Sequence, residues 1–162
     1  MNTTEYTYAD RSEWSAGPWD SEPDKRQWTD EATGLPCLIV RQDRGHLCGY
    51  VGVAPFHPYY QTDDAFSLPL DVHGGITFGR MCAEDESAEG AVCHIDPDDG
   101  DRFWLGFDMA HWGDTAPGAI EWNRGGTYRT FGYVARECER LAAQLTKMFP
   151  GAKCHATTRI GA

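Results

Sequence analysis

The sequence has no apolar run approaching the ~18–20 residues that span a bilayer, and its opening residues MNTTEYTYADRSEW lack the pattern of a secretory signal. A soluble, cytosolic protein with no membrane role is expected. Several signatures of chemistry are missing too. No CxxC occurs, so a structural zinc site has little support, and no HxH or HExxH spacing points to another metal. Neither GxxxxGK[ST] nor GxGxxG occurs, which removes the usual phosphate-cradling loops. Without GxSxG, the nucleophile elbow of α/β-hydrolases is excluded. No cofactor is expected.

Basic charge is scarce. Fourteen Lys and Arg against 25 Asp and Glu leave the chain at −11. That argues against a general nucleic-acid binder, for which phosphate attraction supplies most of the non-specific affinity. The deficit is uneven. Residues 1–119 hold 7 basic and 22 acidic side chains, net −15, whereas residues 120–162 hold 7 and 3, net +4. A cationic C-terminal segment on an acidic body can receive a small anion locally, or can simply be a solvated helix. With 41% apolar and 24% charged residues in 162, the composition is that of one globular domain with its own core.

The cysteines are Cys37, Cys48, Cys82, Cys93, Cys138 and Cys154. Without a secretory signal they are expected to be reduced and mostly structural; only Cys82 and Cys93 bracket a loop that a bond would close. Cys48 and His46 share a strand face, an arrangement that packing explains better than a thiolate pair. The run Asp96-Pro97-Asp98-Asp99-Gly100-Asp101 lacks the order of a calcium loop and reads as a solvated acidic turn.

What is present divides the chain in two. Residues 1–31 are polar but carry Tyr6, Tyr8, Trp14, Trp19 and Trp28, with Pro18 and Pro23 opposing helix; they read as an irregular arm pinned by aromatics. Residues 32–162 read as a single α+β domain. Its strands are expected at PCLIVRQ (36–42), HLCGYVGVA (46–54), GGITF (74–78) and RFWLGFD (102–108), the first two forming a hairpin with Gly45 at a positive φ. From about Tyr128 to Phe149, Val134, Cys138, Leu141, Leu145 and Met148 recur at helical spacing, and Pro150-Gly151 ends the run. The fold class is therefore α+β: an antiparallel sheet of about four strands with one long C-terminal helix packed on a face.

Two segments concentrate chemistry. Asp71-Val72-His73-Gly74-Gly75-Ile76-Thr77-Phe78 and Gly106-Phe107-Asp108-Met109-Ala110-His111-Trp112-Gly113-Asp114 each set a histidine among glycines and short polar residues at a strand end. If they are neighbours, His73, His111, Asp108 and Asp114 converge, and a carboxylate beside an imidazole fixes its tautomer for acid–base work. The bland alternative is ordinary turn chemistry, with each histidine bonded to backbone. Of the aromatics Tyr50, Tyr59, Tyr60, Trp104, Trp112, Trp122 and Tyr128, most belong to the core; two or three would remain to stack on a base, with Arg124 or Arg129 meeting a phosphate.

The segments TGLPCLIVR, LCGYVGVAPFHP, DVHGGITF, FWLGFDMAHWGD and YVARECERLAAQL resemble, in that order, a family of small uncharacterised proteins of tailed phages and prophages. The resemblance spans about residues 17–146 and rests on HGG-[IL]-T-F and GFD-x-x-H-x-GD. It implies a phage accessory protein acting in the cytoplasm of a bacterial host, and no catalytic residue. Such proteins often counter host defence, an implication of setting and not of motif.

Three functions fit. The first is sequestration of a small anionic, nucleotide-like immune signal. There His73 and Thr77 would donate hydrogen bonds and Gly74 and Gly75 would expose backbone N–H groups. Asp108 and Asp114 would orient the loops, Trp112 would stack, and Arg129 would meet phosphate. The second is hydrolysis of such a signal by His73, His111 and Asp108, with His111 as base. The third is an acidic protein that mimics nucleic acid or caps a host factor. Sites of this size are often formed between subunits, which keeps a homodimer in view.

Overall fold

A computed structural model describes residues 3–82, 90–94, 101–119 and 125–148. Within them six strands form one antiparallel sheet: β1 (Thr4–Tyr6), β2 (Lys25–Thr29), β3 (Pro36–Arg41), β4 (Leu47–Val53), β5 (Phe78–Met81) and β6 (Phe103–Asp108), in the order β1-β2-β3-β4-β6-β5. A short parallel pair, β7 (Asp114–Thr115) and β8 (Thr127–Tyr128), leads into helix α1 (Phe131–Lys147). The α+β class holds.

Strands β3 and β4 are near-continuous apolar runs because both their faces are covered. Cys37, Ile39, Leu47, Val51 and Val53 face α1, together with Leu105 and Phe107. Leu38, Val40, Cys48, Tyr50 and Trp104 occupy the opposite face. The turn between β3 and β4 closes with Gly45 N–H on Gln42 O at 2.8 Å, and Gly45 has the expected positive φ of 92°. On α1 the stripe Phe131, Val134, Cys138, Leu141 and Leu145 is buried, and Thr130 caps the start by accepting from Tyr133 N–H at 3.3 Å. Met148, the last residue of the expected stripe, is exposed. The helix crosses β4 at Gly49, where a side chain would run into Phe107 and Cys138.

The expected count of about four strands is corrected to six. Both additions lie in the stretch read as an irregular arm. Lys25–Thr29 is KRQWT, with no apolar alternation to announce it, yet it pairs in register with β3 from Lys25↔Val40 to Thr29↔Pro36. Tertiary contacts hold it: the fully buried Lys25 donates to Ala91 O at 2.7 Å and Cys93 O at 3.1 Å. The strand expected at GGITF is displaced. Only Phe78 of it is extended in β5, because Gly74 and Gly75 adopt φ of 70° and 79° and turn the chain.

Cys82 and Cys93, the one pair that brackets a closable loop and whose pairing the sequence left open, are bonded, with Cα atoms 5.4 Å apart. Cys37, Cys48 and Cys138 are free and buried. Pro150-Gly151, Cys154 and most of the acidic turn at 96–101 fall outside the described residues.

The N-terminal stretch is tied to the sheet and helix by an ionic cluster. Buried Asp24 accepts from Tyr8 N–H, Ala9 N–H and Arg41 Nε at 2.7, 2.8 and 2.8 Å. Burial pushes the Asp24 carboxyl up, but the Ala9 and Tyr8 N–H groups, with Arg11, outweigh it and hold the group below its usual range. Arg41 also donates to Gly45 O and Tyr128 Oη, at 2.8 and 2.9 Å.

Candidate functional site

The two histidine loops meet, and Asp114 is where they do. Its side chain, 1% exposed, opens β7 and accepts from His73 Nε2 at 2.7 Å, Arg129 Nε at 2.9 Å and His111 N–H at 3.0 Å. The pairing of β7 with β8 sets Arg129, one residue beyond β8, against it. Burial raises the Asp114 carboxyl, but the bonds from His73, Arg129 and His111 prevail and keep it below the usual carboxylate range.

His73 is fixed from the other side by the helix. Its backbone N–H donates to Glu137 Oε1 at 2.9 Å, and its Nδ1 lies 2.9 Å from the Tyr133 hydroxyl. The two rings meet edge to face at 5.5 Å. A carboxylate only accepts, so the neutral His73 ring carries its proton on Nε2, and Nδ1 accepts from Tyr133 O–H. Nearby, Gln144 bonds both Asp71 N–H and Asp71 O, anchoring the start of this loop to α1.

His111 packs directly beneath Gly74, where any side chain would overlap the imidazole. Its ring lies 5.8 Å from that of His73. His111 Nε2 approaches Asp108 Oδ1 to 3.3 Å, but the atom makes no aligned hydrogen bond. Asp108 in turn accepts from Thr77 Oγ1 at 2.7 Å and from Ala110 N–H at 3.0 Å.

Thus His73, Gly74, His111, Asp114 and Arg129 form one cluster, and Asp108 and Thr77 adjoin it through His111. Gly75 faces open space, and Trp112 is fully exposed. Tyr50 and Trp104 are core residues, while Tyr128 is held by Arg41 and Glu22. Trp122 and Arg124 lie outside the described residues. Tyr133 and Glu137 were not legible as site residues: they come from the helix, 60 or more positions away, and no local pattern marks them.

Asp108 also borders a cavity of about 620 Å³ on the sheet face opposite α1. Tyr50 and Phe78 give it an apolar wall; His46, Thr77 and Asp108 supply polar groups. No Lys or Arg lines it among the described residues. Cys48 lines it as well, but burial, helped by the Asp108 charge, pushes its thiol up to about 12, so it stays protonated. Burial lowers the His46 pKa against the opposing pull of Asp108. A thiolate pair between them is therefore disfavoured, in keeping with the packing reading.

No protein-family model, curated protein or solved structure matches the chain. The chemistry must come from the geometry. Among the described residues no group of three or more His, Cys, Asp or Glu side chains is arranged to hold a metal ion. What remains is a cavity bordered by the Asp108 carboxylate and, as a separate feature, His73, whose tautomer is defined by its partners.

Proposed function

We propose that the protein binds and sequesters a small nucleotide-like ligand, taking its base into the cavity over the open sheet face. The cavity carries this reading. Its volume of about 620 Å³ suits a drug-sized molecule, and its pattern of apolar wall with few polar groups is that of a small-molecule site. The Asp108 carboxylate suits a ring edge bearing N–H donors. For a phosphate the candidate is Arg129, which is bonded to Asp114 and 29% exposed. The resemblance to phage proteins supports a role in withholding a host immune signal in the bacterial cytoplasm.

The test is filtration of the protein with a panel of cyclic oligonucleotides and ADP-ribose derivatives, followed by denaturation and identification of what is released. A compound removed stoichiometrically and recovered intact supports sequestration, and Asp108→Asn should weaken its capture at unchanged melting temperature. If every compound passes through unchanged, the reading fails and the acidic surface becomes the place to seek a protein partner. A second reading, hydrolysis of the same signal, is favoured by the His73–Asp114 bond. It requires products from substoichiometric protein.

A further inference from the structure

We propose that Tyr133 is a nucleophile for phosphoester chemistry, with His73 as its base, Asp114 as the residue that positions the base, and Arg129 as the anchor for the phosphoryl oxygens. This deepens the hydrolysis reading and rests on it for the substrate class; it does not require the cavity to be filled. It also replaces His111, the base expected from sequence, with His73.

Two contacts link three residues in a directed chain. Asp114 accepts from His73 Nε2 at 2.7 Å, which leaves Nδ1 as the basic nitrogen of the neutral ring. Nδ1 lies 2.9 Å from the Tyr133 hydroxyl, within reach for proton transfer. The carboxylate is almost fully buried, whereas His73 is 14% and Arg129 29% exposed, so the chain runs from the interior to the surface. This is the logic of a carboxylate–imidazole–hydroxyl triad with a phenol in the nucleophile's place. By contrast, His111 Nε2 lies beneath Gly74 with no aligned partner, which suits it poorly as the base.

Arg129 selects the substrate class. Its guanidinium lies 5.1 Å from the Tyr133 ring centroid, and its Nε is spent on Asp114. Its two terminal nitrogens make no hydrogen bond among the described residues, and a guanidinium fork of this kind favours phosphoryl over neutral acyl groups. In the reaction, Tyr133 Oη bonds to phosphorus while its proton passes to His73 Nδ1. The bond from phosphorus to the ester oxygen breaks, and the imidazolium returns that proton to the leaving alkoxide. Water then attacks the tyrosyl phosphoester, giving a proton to Nδ1, and the departing phenolate takes it back. Asp114 stays ionised throughout.

An alkyl fluorophosphonate tests the nucleophile, with the labelled residue mapped by mass spectrometry. Tyr133 should label about a hundredfold faster than the partly buried Tyr59 and Tyr60, as general-base assistance implies, and His73→Gln should remove most of that advantage. Tyr133→Phe should lose the label while keeping the melting temperature. Labelling of Tyr133 no faster than of Tyr59 and Tyr60 overturns the proposal, and that comparison needs only the wild-type chain if His73→Gln fails to fold. An undiminished rate in a folded His73→Gln protein overturns it equally. Bis(4-nitrophenyl) phosphate separates the two readings. One equivalent of nitrophenolate with an adduct on Tyr133 supports the nucleophile but ends the hydrolysis reading, whereas sustained release supports both. Sustained release that persists in Tyr133→Phe keeps hydrolysis and overturns this mechanism.

Discussion

Glu22 holds the first turn of a helix that begins 109 residues later: its Oε2 accepts from Phe131 N–H at 2.8 Å. Its other oxygen accepts from Tyr128 Oη at 2.5 Å and meets Arg41 at 3.3 Å. A carboxylate is thus placed at the positive end of α1 by the N-terminal stretch, where it satisfies a donor the helix cannot satisfy itself.

Replacing Glu22 by Ala should accordingly destabilise the fold by about 2–3 kcal/mol, since a charged hydrogen bond is lost and buried Arg41 loses one counter-charge. Urea unfolding should show a lower midpoint at nearly unchanged slope. Glu22→Gln should recover part of the loss through its remaining acceptor. No change in midpoint for Glu22→Ala would mean that the clasp is idle.

Gly74 separates site from fold. With φ of 70° and the His111 imidazole where a Cβ would stand, Gly74→Ala should cost about 1–3 kcal/mol of local strain. The displaced loop carries His73, so ligand capture and Tyr133 labelling should both fall sharply. Far-ultraviolet circular dichroism should remain that of the wild type, because the sheet and α1 do not depend on this turn.

His57 makes stability depend on pH. Its Nδ1 accepts from Tyr59 N–H at 3.0 Å, which leaves Nε2–H to donate to Leu145 O, also at 3.0 Å. Protonation would destroy the acceptor, and burial lowers the pKa below 6.5 despite the Leu145 bond. The neutral ring's contribution is therefore complete above about pH 6.5 and is lost as pH falls below that value towards the folded pKa, where the unfolded chain binds more protons. His46 is lowered in the same sense. Denaturation midpoints should decline from pH 7 to pH 5, and His57→Gln should show a shallower decline.

The Cys82–Cys93 bond closes a loop of 11 residues in sequence separation, which on chain-entropy grounds stabilises by about 3 kcal/mol. Val92, beside it, packs on the open-face cluster, and Gly90 borders the cavity. Reduction should lower the melting temperature and weaken ligand capture together. Cys82→Ser with Cys93→Ser should reproduce both effects without reductant; retained capture would detach the loop from the site.

Much of the site was legible because glycine and histidine clusters at strand ends are local patterns. His73, His111, Asp108 and Asp114 could be named from two short segments, and the structure brings them together. Their roles could not be named. That Asp114 rather than Asp108 makes the aligned bond to a histidine, and that Nδ1 of His73 faces a helix tyrosine, depends on distances across 41 and 60 residues.

The amino-acid sequence by itself determined the α+β class, the β3–β4 hairpin with Gly45 at its turn, and the buried stripe of α1. Each of these is written in a periodicity or a turn chemistry that neighbouring residues share. Only the tertiary structure decided that KRQWT is a strand, that Glu22 clasps the helix, and that Tyr133 completes the His73–Asp114 chain. Polar segments earn their places through partners distant in sequence, and hydrogen bonds between distant residues leave no local periodicity to read.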